Sequence, residues 1–383
     1  MRWWTAVLVS AAALQLSAAA AQPEPVASAG FADAGRPYVF SFPRDEGSHP
    51  AYQTEWWYTT GHVRAADGRR FGYELTFFRV GLHPGDPAPR RGQSRWRGNE
   101  VFPAHLAITD VTGARFVYAE RFEREALGMG AAASGRLAVR AGDWTLVGVP
   151  GRVWGSNLPS MRMTLHASAP ADAGDIGVDL LETPLKPPAV HGRAGVSRKG
   201  ACPSCASHYY SYTRMQTSGS LRFAGTRMRV AGTSWMDHEF GSAELEPGEV
   251  GWDWFSVQLN DGRELMLYRL RTASGAIVPA SSGSVIERDG RVRHLARSDV
   301  AVEQRGTWRS PHTGATYPSG WRVRVPSAAI EVTLEPLVLD QELAGASSPS
   351  YWEGAVDVRD ARKDVSIGAG YVELTGYAGP VSI

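Results

Sequence analysis

The chain has 383 residues, 43% hydrophobic and 21% charged, an ordinary globular composition that argues against a disordered chain and against a polytopic membrane protein. Its length exceeds one typical core, so two domains or one large all-β body are expected. Lys plus Arg number 40 against 39 for Asp plus Glu; removing residues 1–21 takes away Arg2 alone, and the resulting balance of 39 against 39 excludes a strong pull toward nucleic acid or anionic membranes.

At the N-terminus, Arg2 precedes an apolar, alanine-rich run from Trp3 to Ala21, with Ala19 and Ala21 forming an Ala-x-Ala cleavage pattern before Gln22-Pro23. This predicts a signal peptide over residues 1–21 and an exported protein, periplasmic or extracellular. An uncleaved anchor is the alternative. No Cys lies near the cleavage point, which argues against a lipoprotein.

The rest reads as strands and turns. Trp56 to Val63, the turn Asp67-Gly68 and Phe71 to Phe78 form a hairpin signature. Pro84 to Arg97 is a polar loop, either a lid or a surface connection. His105 lies in an alternating segment, Phe102 to Asp110, and Glu120 to Leu127 has the pattern of two short helical turns. Pro184 to Gly200 is irregular. The only cysteines, Cys202 and Cys205, suit a local disulfide in an oxidising compartment better than a redox motif or a zinc site. A second hairpin, Trp252 to Leu259 and Glu264 to Arg271 around Asp261-Gly262, repeats the Trp-rich arm and Asp-Gly-Arg turn of the first. That weak internal repeat is consistent with two related β domains, and the scarcity of helical periodicity leaves an all-β sandwich or barrel.

Chemistry concentrates between Pro187 and Gly241. Asp237, flanked by Trp235, Met236 and Phe240, loses solvation if this run lines a cavity, and desolvation raises a carboxyl pKa toward values useful for proton donation. The i, i+2 spacing of His208-x-Tyr210 and Trp235-x-Asp237 puts each pair on one face of its strand, so neighbouring strands are expected to present all four side chains together. Such an acid can protonate an alkene or a leaving group, with His208 or His238 positioning water and aromatic faces steadying a developing cation. The competing reading is a buried Asp-His network that fixes a domain junction. Expected ligand contacts are Glu55, Trp57, Tyr58, His105, His191 and Tyr212, although Trp56 and Trp57 cannot face the same cavity and packing is the alternative role for each. The chain carries no Gly-x-Ser-x-Gly, no His-Glu-x-x-His and no Gly-x-Gly-x-x-Gly in a βαβ setting, so neither metal nor other cofactor is expected.

Eight stretches resemble a known family. They are Glu55 to Tyr58, His105 with Thr109-Asp110, Val190 to Gly192, Ser197 to Gly200, Tyr209 to Arg214, Ser234 to Gly241, Tyr351 to Gly354, and Gly370 to Tyr377. In this order they are similar to the secreted, lipocalin-like AttH-like proteins related to carotenoid 1,2-hydratase, also called predicted secreted hydrolases. The resemblance implies two lipocalin-like, calycin-type β-barrel or sandwich domains, at residues 22–242 and 243–383. It also implies that positions His208, Tyr210, Trp235 and Asp237 match the pairs that hydrate a terminal double bond. Tyr210 stands where the hydratases have Trp, and Trp235 where they have Tyr. The expected ligand is a hydrophobic, isoprenoid- or lipid-like small molecule. A periplasmic carrier linked to a membrane transporter is the alternative to the enzyme.

Overall fold

The computed structural model describes residues 30–85, 94, 96, 98–152, 159–172, 174–243, 245–345 and 348–381. The expected signal peptide and most of the 84–97 loop lie outside the described residues. No helix among those described is long and apolar enough to cross a membrane.

The first sheet collects β1 (Thr54–Ala65), β2 (Arg70–Gly81), β3 (Glu100–Asp110), β4 (Arg115–Arg124), β5 (Gly130–Ala132), β6 (Ala138–Ala141), β7 (Trp144–Arg152), β8 (Pro159–Ala169), β9 (Ile176–Pro184), β10 (Ala189–Val190), β11 (Ser197–Arg198), β12 (Ala206–Phe223) and β13 (Thr226–Ala243). The second collects β14 (Glu249–Leu259), β15 (Glu264–Thr272), β16 (Ser282–Ile286), β17 (Val292–Ala296), β18 (Ala301–Gln304), β21 (Trp321–Val325), β22 (Ile330–Pro336), β23 (Glu342–Leu343), β24 (Tyr351–Asp360) and β25 (Ser366–Leu374), with β19 (Thr307–Arg309) and β20 (Thr316–Pro318) as a separate hairpin. The strand order β4-β3-β2-β1-β13-β12-β9-β8-β7-β6-β5 makes a nearly closed barrel, and β17-β16-β15-β14-β25-β24-β22-β21-β18 a half-barrel. The chain is therefore all-β, with two lipocalin-like domains.

Both Asp-Gly hairpins form as read, β1 with β2 and β14 with β15, each opening its own sheet. The helical reading of Glu120 to Leu127 is overturned. Glu120 lies within β4, opposite His105, and only a single 3-10 turn at Ala126–Gly128 follows the strand. Cross-strand pairing outweighs a short helical pattern that has no cap to start it.

Each barrel has its own apolar core. Trp57, Phe71, Phe77, Phe102, Trp144, Tyr210 and Met236 fill the first. Phe255, Trp321, Trp352 and Val372 are among those filling the second. A third cluster joins Tyr58, Tyr209 and Trp235 of the first domain to Trp254, Tyr268, Leu270 and Tyr371 of the second. Strand β1 is consequently covered on both faces, which is why its sequence is aromatic at successive positions instead of alternating with polar residues. Trp57 points into the barrel and Trp56 to the interdomain side.

Candidate active site between the two domains

A chamber of about 340 Å³ opens where the outer face of the first barrel meets the second domain. The first domain contributes Trp56, Tyr58, Thr76, Phe78, His105, Tyr209, Asp237 and Glu239; the second contributes Trp252, Trp254, Tyr268, Leu270, Tyr351 and Glu373.

Strand register builds the first wall. Ser211 pairs with Asp237, Asp237 with Tyr58, Tyr58 with Thr76, Thr76 with His105 and His105 with Glu120. Six polar side chains thus form one row across β12, β13, β1, β2, β3 and β4, all on the face turned to the second domain.

Asp237 is 3% exposed. Its Oδ2 accepts a 2.7 Å hydrogen bond from the Tyr209 hydroxyl, and Oδ1 accepts one from Trp235 Nε1 at 2.5 Å and another from the Ser211 hydroxyl. Burial pushes this carboxyl up to about 7, against the three donors, which favour the charged form. Beyond the first contacts, Trp254 Nε1 donates to the Tyr209 oxygen at 3.1 Å, and His191 Nε2 lies 2.7 Å from Ser211 Oγ. With the Ser211 proton directed at Asp237, His191 serves as the donor to Ser211. Burial pushes the His191 imidazole down to about 3, so it is neutral.

Further carboxyls surround the chamber. Burial raises Glu373 to about 7, with the charge of Asp237 adding to the effect and a 2.7 Å hydrogen bond from Trp252 Nε1 opposing it. Glu74 is raised to about 8 by burial, and Glu353, which accepts from Tyr58 at 2.7 Å, is held well above the ordinary range for the same reason. Lys199 pairs with Glu239 at 2.6 Å and lies over the Tyr268 ring. At the far end His105 Nδ1 is 2.7 Å from the Tyr351 hydroxyl, and burial pushes the imidazole down to about 4.

Asp237, Trp235, Tyr58 and His105 stand on the chamber side, whereas Glu55 borders the chamber but turns its carboxylate into the barrel toward Arg79 and His238. The remaining expected site residues go elsewhere. His208 stacks on Tyr38 and bonds the Tyr52 hydroxyl and the Gly195 carbonyl; Tyr210 lies in the first core, 3.2 Å from His238 Nδ1. His238 stacks on Trp57, and Tyr212 donates to Glu46 inside the barrel. The expectation that His208, Tyr210, Trp235 and Asp237 share one face is therefore corrected, and with it a position for His238, Trp57 or Tyr212 at the chamber. His191 is one hydrogen bond removed from the acid, not on the lining.

The physical reason is a bulge. Near the turn Phe223 pairs with Thr226, and a regular ladder counted outward from that pair would set Asp237 opposite Tyr212, on the face of Tyr210 and His208. An irregularity between Tyr212 and Met215 shifts the register by one residue, so that Asp237 meets Ser211 and its neighbour Tyr209. The extra residue is used by the second domain: Thr213 and Arg214 both reach Glu264, and Gln258 donates to the Thr213 carbonyl. That shift brings Tyr209 and Ser211 to the site, while Trp254 and Glu373 reach it from the second domain, and none of the four is indicated by the spacing. Tyr209 and Glu373 stand in the family-like stretches, but face parity across a bulged pair is not readable from spacing.

Among the described residues, two side-chain groups have metal-ligand geometry. In one, the ligand atoms of His49, Glu55 and His238 lie within 4.8 Å of one another. Glu55 there already accepts from the buried Arg79 at 2.8 Å and meets both imidazoles at 2.8 Å, so the group is a satisfied ion-pair network. Burial would raise Glu55, yet these hydrogen bonds and the Arg79 charge hold it well below the carboxylate range. The other pairs Glu246 with Cys202 and Cys205, whose sulfurs are joined in a disulfide.

A solved AttH-like structure from Nitrosomonas europaea, described as a putative AttH, is 32% identical over 89% of this chain and 98% of its own, with a TM-score of 0.74. Kievitone hydratase from Nectria haematococca shares the fold at 14% identity, with a TM-score of 0.61 over 93% of this chain and 98% of its own. No curated protein matches. The AttH-like family model matches residues 33–377, nearly the whole described chain, and the protein belongs to the AttH-like family.

Proposed function

We propose that this protein is a hydratase that adds water across a carbon–carbon double bond of an uncharged, largely apolar small molecule held between its two domains. Asp237 is the general acid. The observation that carries the reading is a desolvated carboxyl, raised to about 7, on the wall of an aromatic chamber. A group with that acidity is part protonated near neutrality and can deliver its proton, while Trp254 and Tyr58 on the lining offer aromatic rings to the cation that results. At about 30 Å³ for each water-sized group, the chamber takes roughly ten to fifteen non-hydrogen atoms. That size suits a short isoprenoid chain or the end of a longer one. Asp237 and Glu373, each part ionised near neutrality, disfavour an anionic ligand.

Export belongs to the same proposal, supported by the leader-like residues 1–21 and by the Cys202–Cys205 disulfide, a bond that persists in oxidising compartments. The test is incubation with short isoprenoid alkenes in water enriched in heavy oxygen. Alcohol carrying the label is expected from the wild type and not from Asp237→Asn. Recovery of unchanged alkene bound to the wild type would instead favour a carrier, a reading that the aromatic lining also supports.

A further inference from the structure

An acid that protonates an alkene needs a partner to take the proton released when water attacks, and His208 and His238, expected to position that water, face away from the chamber. We propose that Glu373 of the second domain is this base, so that the reaction is shared by two carboxyl groups, one from each domain. The inference rests on the hydratase reading above.

The geometry singles out Glu373 among the groups that line the chamber. Glu239 is occupied by Lys199 at 2.6 Å and by the Ser207 hydroxyl. Glu55 is enclosed by Arg79, His49 and His238. His105 stands three strands from Asp237 in the row, about 14 Å at the usual strand spacing, too far to serve the adjacent carbon of one double bond. Glu373 is opposite Trp254 in the second sheet, and the Trp254 indole reaches the Tyr209 hydroxyl that donates to Asp237. Among the described residues its hydrogen-bond partner is Trp252, through Oε2, which leaves Oε1 for a bound water. It is partly exposed, unlike Asp237. The two carboxyls are close enough that ionised Asp237 strengthens the hold of Glu373 on its proton. Like charges so placed favour a state in which the pair holds one proton, the state the reaction requires.

The step balances. The Asp237 proton goes to one alkene carbon, whose C–H bond forms from the π electrons, and Asp237 becomes a carboxylate. A lone pair of water forms the C–O bond to the resulting cation, and the proton released from that oxygen passes to the Glu373 carboxylate. Transfer of this proton to Asp237 through chamber water resets the pair.

Isotope exchange separates the two roles. In heavy water, wild-type protein with a short isoprenoid alkene ending in a dimethyl-substituted double bond is expected to form deuterated alcohol. Asp237→Asn should form neither alcohol nor deuterated alkene. Glu373→Gln keeps an acceptor for Trp252 and should lose alcohol formation by about 100-fold, while still placing deuterium in recovered alkene, because the acid continues to protonate it and the cation returns. Alcohol formation by Glu373→Gln at the wild-type rate overturns the inference and leaves the acid assignment standing, as does loss of exchange together with hydration. A wild type that gives neither product defeats the hydratase reading and this inference with it. If Gln at 373 prevents folding, Trp252→Phe carries the test, since it releases the Glu373 carboxylate and should show the same split more weakly.

Discussion

Asp237→Asn should make the protein more stable relative to wild type as pH rises, even though it removes the proposed acid. In the fold this carboxyl titrates at about 7, against about 3.9 in an unfolded chain. A carboxyl raised on folding stabilises below its unfolded pKa, and that contribution is lost as pH climbs through the folded value. Between those limits the folded state holds the extra proton, so wild-type stability falls by about 1.4 kcal/mol per pH unit from this group. From pH 5 to pH 8 the loss amounts to roughly 2.7 kcal/mol, and Asn has no proton to lose. The neighbouring raised carboxyls Glu74, Glu353 and Glu373 are present in both proteins and largely cancel. Asn gives up part of the three hydrogen bonds, about 1 kcal/mol each, and this offset is nearly independent of pH. The variant is therefore less stable than or equal to wild type at pH 5 and gains about 2.7 kcal/mol on it by pH 8, roughly 5–10 °C in melting temperature for a domain of this size. Thermal melts of both proteins at half-unit intervals from pH 5 to 8 measure the difference. A gap between the two melting curves that does not change with pH would refute the reasoning, since it would mean that Asp237 is ionised throughout.

Tyr209→Phe withdraws a donor from the Asp237 carboxylate and leaves the Trp254 indole N–H without its acceptor. The acid should become weaker, moving the high-pH limb of hydration activity upward, and stability should drop by about 1–3 kcal/mol in urea unfolding. Arg79→Met strands the buried Glu55 and the nearby Glu100 without their cation; a loss of about 3–5 kcal/mol is expected from urea midpoints, with no change in the exchange chemistry of whatever folds. Gly72→Ala tests how the domains meet. A Cβ there would lie 2.4 Å from the Tyr371 hydroxyl and 2.8 Å from the Ala355 Cβ across the junction, so the variant should melt earlier and bind a neutral fluorescent apolar probe less tightly.

The parts of this molecule legible in its sequence are those governed by local rules. Asp67-Gly68 and Asp261-Gly262 announce their hairpins because a two-residue reversal demands such residues. Asp237 is recognisable because apolar neighbours on its own strand already imply lost solvation. What fails is partnership between distant segments. Spacing and the resemblance both place His208 and Tyr210 beside the acid, and a single bulged residue reverses that placement without leaving a mark in the i, i+2 pattern. Tyr209 and Glu373 are invisible for a related reason: one depends on the register of a long hairpin, the other on how a second domain lies against the first.

That docking has a chemical consequence. The proposed acid is carried on the outside of one barrel, and its neighbour closes over that face. A nascent chain in which only the first barrel had closed would present Asp237 to bulk water, ionised and chemically silent. On the proposed reading, proton-delivering power would arise only once the second domain has folded against the first.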